Sequence, residues 1–179
     1  MRLRHLLLIA AVLFCPAISH AVTCSVSNVQ PINLGSVNPL SATGATSSMT
    51  FNYTCTKELG DVLAGINLCF NIGASAVSGQ VTPRNMSLNG TPARTLAYQL
   101  YQDAGHTKVW GSQYQSGTTF PMVQLNLLNL TPVTGSLTVS AQIVTPQTSA
   151  VPGSYQDSYT AATALVTLNP GLLFPPTTC

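Results

Sequence analysis

Apolar and polar residues alternate with a period of two along much of this chain, and a helical period is almost absent. Over residues 50–55 the alternation puts Phe51, Tyr53 and Cys55 on one side. Over residues 66–72 it puts Ile66, Leu68, Phe70 and Ile72 inward and turns Cys69 to the other face. Further strands are predicted over residues 96–102, 122–130, 136–144 and 155–168. Turn signals separate them at Asn89-Gly90-Thr91-Pro92, Asp103-Ala104-Gly105 and Val151-Pro152-Gly153-Ser154. Residues 41–48, rich in Ser, Ala, Thr and Gly, read as a loop. Six to eight short strands, each apolar on one face, must cover that face with a second sheet. The expected fold is therefore all-β, an immunoglobulin-like two-sheet sandwich, with a closed barrel as the alternative.

The first residues do not belong to this pattern. Arg2 and Arg4 precede the apolar run of residues 6–15, and a short polar stretch ends in Ser19-His20-Ala21, which predicts a signal peptide over residues 1–21 with cleavage after Ala21. The run is too short for a spanning helix, and no later segment reaches the length a membrane span needs. Lipid anchoring at Cys15 is disfavoured by Phe14, which stands where a lipoprotein signal takes a small residue. Residues 22–179 are then one exported domain, large enough for its own core.

Removing the leader also changes the charge. Lys57, Arg84, Arg94 and Lys108 remain against Glu58, Asp61, Asp103 and Asp157, so the mature chain is formally neutral. Four scattered cations give no footprint for nucleic acid or anionic lipid. A surface with so little charge has weak repulsion between copies and suits a chain that ends up packed in an assembly. Cys24, Cys55, Cys69 and Cys179 read as two disulfides in an oxidising compartment. Of the three pairings, Cys24 with Cys55 and Cys69 with Cys179 is favoured: the first ties the opening strand to the end of the next, the second clamps the C-terminal tail. No pair has the close spacing of a zinc site.

Little in the sequence points to catalysis, a metal or a cofactor. His106 follows Asp103 by three residues, but Asp103-Ala104-Gly105-His106 has the character of a hairpin tip. No serine sits in a Gly-x-Ser-x-Gly elbow, and the acidic residues are not paired in sequence. The Asn-x-Ser/Thr matches, such as Asn85-Met86-Ser87, are read as chance occurrences. Trp110, with Tyr98 and Tyr101, could line a carbohydrate or surface-binding site, yet a sandwich needs large side chains between its sheets, which favours packing. Arg84 is read as a partner for a loop carbonyl or for Asp103 or Asp157. Tyr155 and Tyr159, four apart, are expected on one side of the last strand.

A set of short motifs in order carries a resemblance. These are Asn33-Leu34-Gly35, Asn38-Pro39-Leu40, Tyr53-Thr54-Cys55, Leu68-Cys69-Phe70-Asn71-Ile72-Gly73, Arg84-Asn85-Met86, Leu96-Ala97-Tyr98-Gln99-Leu100-Tyr101-Gln102-Asp103, Val109-Trp110-Gly111 and Pro152-Gly153-Ser154-Tyr155-Gln156-Asp157. Together they resemble the spore coat protein U domain family, related to subunits of archaic chaperone-usher pili.

The resemblance implies an incomplete, pilin-like sandwich that lacks its last strand. It also implies partners: a periplasmic chaperone, an outer-membrane usher, and other pilin subunits that add a donor strand to the open sheet. Export through the periplasm to an extracellular place on the cell surface follows, as do surface attachment and biofilm roles, on an abiotic or host surface. Only Val22 and Thr23 precede Cys24 after the expected cleavage, too little for a donor strand. The chain is thus expected to receive a strand without donating one, at the tip of a pilus. The tail after residue 168 carries Pro170, Pro175 and Pro176 and is a poor central strand. The other reading is a self-standing spore or cell coat protein.

Overall fold

The structure is a computed structural model and describes residues 22–59, 65–159, 166–171 and 174–179. The predicted leader lies outside them. The described chain forms nine strands: β1 (Thr23–Ser27), β2 (Thr46–Thr56), β3 (Gly65–Phe70), β4 (Arg84–Leu88), β5 (Thr91–Tyr101), β6 (Met122–Asn126), β7 (Val133–Ile143), β8 (Tyr155–Gln156) and β9 (Val166–Gly171). They make two sheets, one of order β1-β2-β7-β5-β4-β8 and one of order β6-β3-β9, and every pairing is antiparallel.

The period-two alternation decides which side chains meet between the sheets. β2 supplies Phe51, Tyr53 and Cys55, β7 supplies Val139, Ala141 and Ile143, and β5 supplies Leu96, Tyr98 and Leu100. From the smaller sheet come Ile66, Leu68, Phe70 and Leu125. Phe51 and Tyr53 pack on Phe70 with ring centroids 5.7 and 5.5 Å apart, the tilted contact that aromatic quadrupoles favour. Outward positions of the larger sheet carry neutral polar groups in register. Ser25 lies beside Thr54 and Thr134, Ser27 beside Asn52 and Ser136, and Thr50 bonds Thr138 hydroxyl to hydroxyl at 2.7 Å.

Cys24 and Cys55 are direct partners across β1 and β2 and form a disulfide, and Cys69 joins Cys179. This is the pairing favoured on the sequence. The β4–β5 hairpin turns at Asn89 and Gly90, whose φ values of 46° and 77° suit an Asn-Gly turn. Thr91 and Pro92 belong to β5 rather than to the turn.

Two strand expectations need correction. Residues 155–168 are not one long strand. β8 is two residues long on the larger sheet, and β9 lies on the smaller sheet and runs on through Pro170 to Gly171. A proline is tolerated there because β9 is an edge strand, paired only with β3 among the described residues. Pairing of β6 stops at Asn126 although the inward alternation continues to the buried Leu127. The stretch expected to be a loop over residues 41–48 ends at Thr46, where β2 begins.

A candidate strand-accepting cleft

The strand order fixes what is missing. β1-β2-β7-β5 facing β6-β3-β9 matches the A-B-E-D sheet of an immunoglobulin sandwich facing a C-F sheet, with β9 in the place of strand F. Strand G would lie next to β9, and among the described residues nothing pairs there. Among the described residues the fold is an immunoglobulin-type sandwich with no strand in the last position.

The link between β1 and β2 is a second place with an unpaired backbone. Ile32 and Leu34 turn inward against the core while Pro31, Asn33 and Gly35 face out, an extended alternation without a ladder. Among the described residues, 29–34 make no backbone–backbone hydrogen bond. A stretch with a strand's alternation and an unpaired backbone has its donors and acceptors free for another chain. Its lower end is anchored, because Gln147 N–H donates to the Pro39 carbonyl at 2.8 Å. The Gln147 side chain in turn donates to the carbonyls of Ala97 and Val144 and accepts from Ala97 N–H.

Between residues 31–40 and residues 150–155 lies a cleft of about 1080 Å³ whose floor includes Met86, Leu96 and Ile143. Tyr155 lines it, and its hydroxyl donates to the Val151 carbonyl at 2.8 Å and accepts from Val151 N–H, closing the turn on that side. The lining holds no Asp, Glu, Lys, Arg or His. Such a cleft takes aliphatic side chains and main-chain hydrogen bonds.

Arg84 is fully buried beside this floor. Its guanidinium donates to the carbonyls of Val81 (3.2 Å), Ile72 (3.0 Å), Gly73 (3.0 Å) and Trp110 (2.8 Å) and to Gln99 Oε1 (2.9 Å). One side chain thus ties together the β3–β4 connection, the β5–β6 connection and strand β5. Burial lowers its pKa, while Tyr98, Tyr159 and Asp157 act in the opposite sense. The sequence offered a loop carbonyl or a carboxylate as its partner; among the described residues it bonds four carbonyls and an amide oxygen and no carboxylate. Asp157 instead accepts from the Tyr98 hydroxyl at 2.7 Å. Burial, then Tyr159 and that bond to Asp157, hold the Tyr98 phenol far above its usual range.

The remaining candidate residues separate. Trp110 is fully buried, tilted on Phe51 at 6.2 Å, with its indole N–H on the Phe70 carbonyl at 2.9 Å. Tyr159 is 42% exposed, bridges to Ser75, and its ring stands 5.9 Å from the Arg84 guanidinium carbon. Tyr155 and Tyr159 do not share a strand face, since β8 ends at Gln156. His106 sits at the hairpin tip with φ 56° and its ring on Tyr101. Asp103 there accepts the N–H groups of Lys108 and Thr107, which hold its carboxyl below the usual carboxylate range. Sequence reading did not find the cleft as such. Asn33-Leu34-Gly35 and Val151-Pro152-Gly153-Ser154 read in the sequence as a motif and a turn, and only the fold brings them to one cleft.

The Spore Coat Protein U domain family matches residues 10–162, and the chain belongs to that family. No curated protein sequence matches it. Among solved structures it is similar to a chain of the CsuC–CsuE chaperone–tip adhesion subunit pre-assembly complex from archaic chaperone-usher Csu pili of Acinetobacter baumannii. That match has 16% identity and a TM-score of 0.43, over 84% of this chain and 40% of that one. A chaperone–tip adhesin complex of CFA/I fimbriae matches at 11% identity and a TM-score of 0.41, over 83% and 42%. The P pilus rod subunit PapA matches at 17% identity and a TM-score of 0.44, over 83% and 99%. This chain spans less than half the length of the first two.

Proposed function

We propose that this protein is an exported, non-enzymatic pilus subunit that is completed by a strand from another chain. A periplasmic chaperone supplies the strand first, and a neighbouring subunit replaces it at an outer-membrane usher. Two observations carry this reading: the edge of β9 is open among the described residues, and an apolar cleft lies between residues 31–40 and 150–155, where the alternating residues 31–34 have no backbone partner. A strand added beside β9 would satisfy its free edge, and a floor of Met86, Leu96 and Ile143 suits the alternate apolar side chains of an extended segment.

A place at the pilus tip is supported by the start of β1. Cys24 is held to Cys55 and Val22 is buried in the core. With cleavage after Ala21, no length remains for a donor strand. An adhesive role on an abiotic surface is supported by the pole where β2, β6 and β9 end. There Leu59, Leu128 and Phe174 are 82%, 80% and 79% exposed. Apolar loop tips of this kind lose contact with water only when something covers them.

The test is co-expression of the chain with a cognate periplasmic chaperone. A stable one-to-one complex is expected, with aggregation of the chain alone. A monomer that folds cooperatively without the chaperone would refute the missing-strand reading and leave a self-standing coat protein.

A further inference from the structure

The segment after β9 does not leave the molecule. Residues 174–179 double back over the outer face of β3 and β6, where Gln124 Nε2 donates to the Pro176 carbonyl at 2.8 Å and Asn67 Nδ2 to the Thr178 carbonyl at 3.1 Å. The backbone fits closely because two glycines meet it. A Cβ on Gly65 would strike the backbone of Phe174 and Pro175, and one on Gly171 the Phe174 carbonyl. Asn67 and Cys69 are outward residues of β3, yet both are fully buried, and the disulfide to Cys179 fixes the far end of the strap.

The strap matters because of what it continues from. β9 is an edge strand held by β3 on one side, with register from Gly65↔Gly171 to Phe70↔Val166, and Pro170 contributes no N–H. So short a one-sided ladder is open to fraying. The strap anchors the C-terminal end of β9 from the opposite face of the same sheet, at a site remote in sequence from it.

We propose that the Cys69–Cys179 disulfide is an oxidation-dependent latch on the open edge of β9: only the oxidised chain holds β9 where it can pair with an incoming strand. This rests on the strand-accepting reading above. Closure needs a disulfide oxidant of the exporting compartment. One cysteine thiolate attacks that disulfide and displaces a thiol, and the second thiolate attacks the mixed disulfide. Two protons and two electrons thereby pass to the oxidant, which leaves as a dithiol. Because Cys69 is buried once the strap is seated while Cys179 stays exposed, Cys179 is the cysteine that carries the mixed disulfide.

The test compares the full oxidised chain with the Cys69→Ala/Cys179→Ala double variant, which retains the Cys24–Cys55 bond. Hydrogen exchange reads residues 166–171, and binding is read with a synthetic peptide of alternating valine and threonine. Relative to the amides of β2 and β7, those of β9 should exchange at least about tenfold faster in the variant, and peptide binding should weaken by a similar factor. An Asn67→Ala/Gln124→Ala variant with the disulfide intact should stay close to the parent in both, and it serves as the folded comparison if the cysteine variant does not fold. In that case the latch is tested by mild reduction of the parent chain, with the same two readouts. Equal β9 protection and equal binding with and without the disulfide would overturn the latch. Failure of the oxidised parent chain to bind the peptide would instead overturn the strand-accepting reading, and the latch with it.

Discussion

Replacing Arg84 by methionine keeps most of the side chain's apolar length and removes five donated hydrogen bonds, to the carbonyls of Ile72, Gly73, Val81 and Trp110 and to Gln99 Oε1. Each buried acceptor left without a partner costs about 1–3 kcal/mol, and the costs overlap because water entering the vacated space can serve more than one. Removing the desolvated cation returns part of this, since burial works against the charge. The expected net loss is about 3–5 kcal/mol. That is a large part of the roughly 5–15 kcal/mol that holds a domain of this size folded. Lysine keeps the charge but has only three donors on one nitrogen and no planar fork, so Arg84→Lys should lose about 2–3 kcal/mol. Trp110 is the chain's single tryptophan and its own carbonyl is one of the five acceptors, so its fluorescence during urea unfolding reports on the site directly. Midpoints for both variants within about 1 kcal/mol of the parent, at unchanged denaturant slope, would refute the account of Arg84 as the tie between these connections.

Three further outcomes follow from the same structure. The folded-state pKa of Tyr98 is raised, so its contribution is present below the unfolded value of about 10 and is lost as pH rises above it; Tyr98→Phe should flatten the alkaline limb of a stability–pH curve measured by urea titration. Asp103 has a depressed pKa, so it supports the hairpin tip above the unfolded value of about 4 and stops doing so as pH falls through its folded value. Asp103→Asn should therefore remove the acid-dependent change in the Thr107 and Lys108 amide shifts, seen by NMR. Gly135→Ala would set a methyl group against the Tyr53 ring and hydroxyl in the core, and a loss of about 1–3 kcal/mol by thermal unfolding is expected.

Much of this fold was legible because the alternation that marks a strand is also what buries it. Phe51 and Tyr53, then Ile66, Leu68 and Phe70, could be placed inward from spacing alone, and Cys69 outward. The last strand was misread for a physical reason. From Tyr155 onward the polar and apolar residues contain no glycine or proline until Pro170, so nothing local marks the passage from one sheet to the other. Proline at 170 and in the tail argued correctly against a central strand, but an edge strand tolerates it. The cleft depends on two segments more than a hundred residues apart in sequence, one of which reads locally as a short motif and the other as a turn. A loop carbonyl could be offered as a partner for Arg84, but not which carbonyls it would gather, because those belong to loops placed only by the finished sandwich.

The rungs of serine, threonine and asparagine on the outside of β1, β2 and β7 contain no group that ionises between strong acid and strong alkali. Water bound there sees the same donors and acceptors whatever the acidity, and dissolved ions have no fixed charge on those rungs to shield. A filament or layer that turned this side outward would keep one unchanging wettability as its surroundings went from fresh to saline or from acid to alkaline.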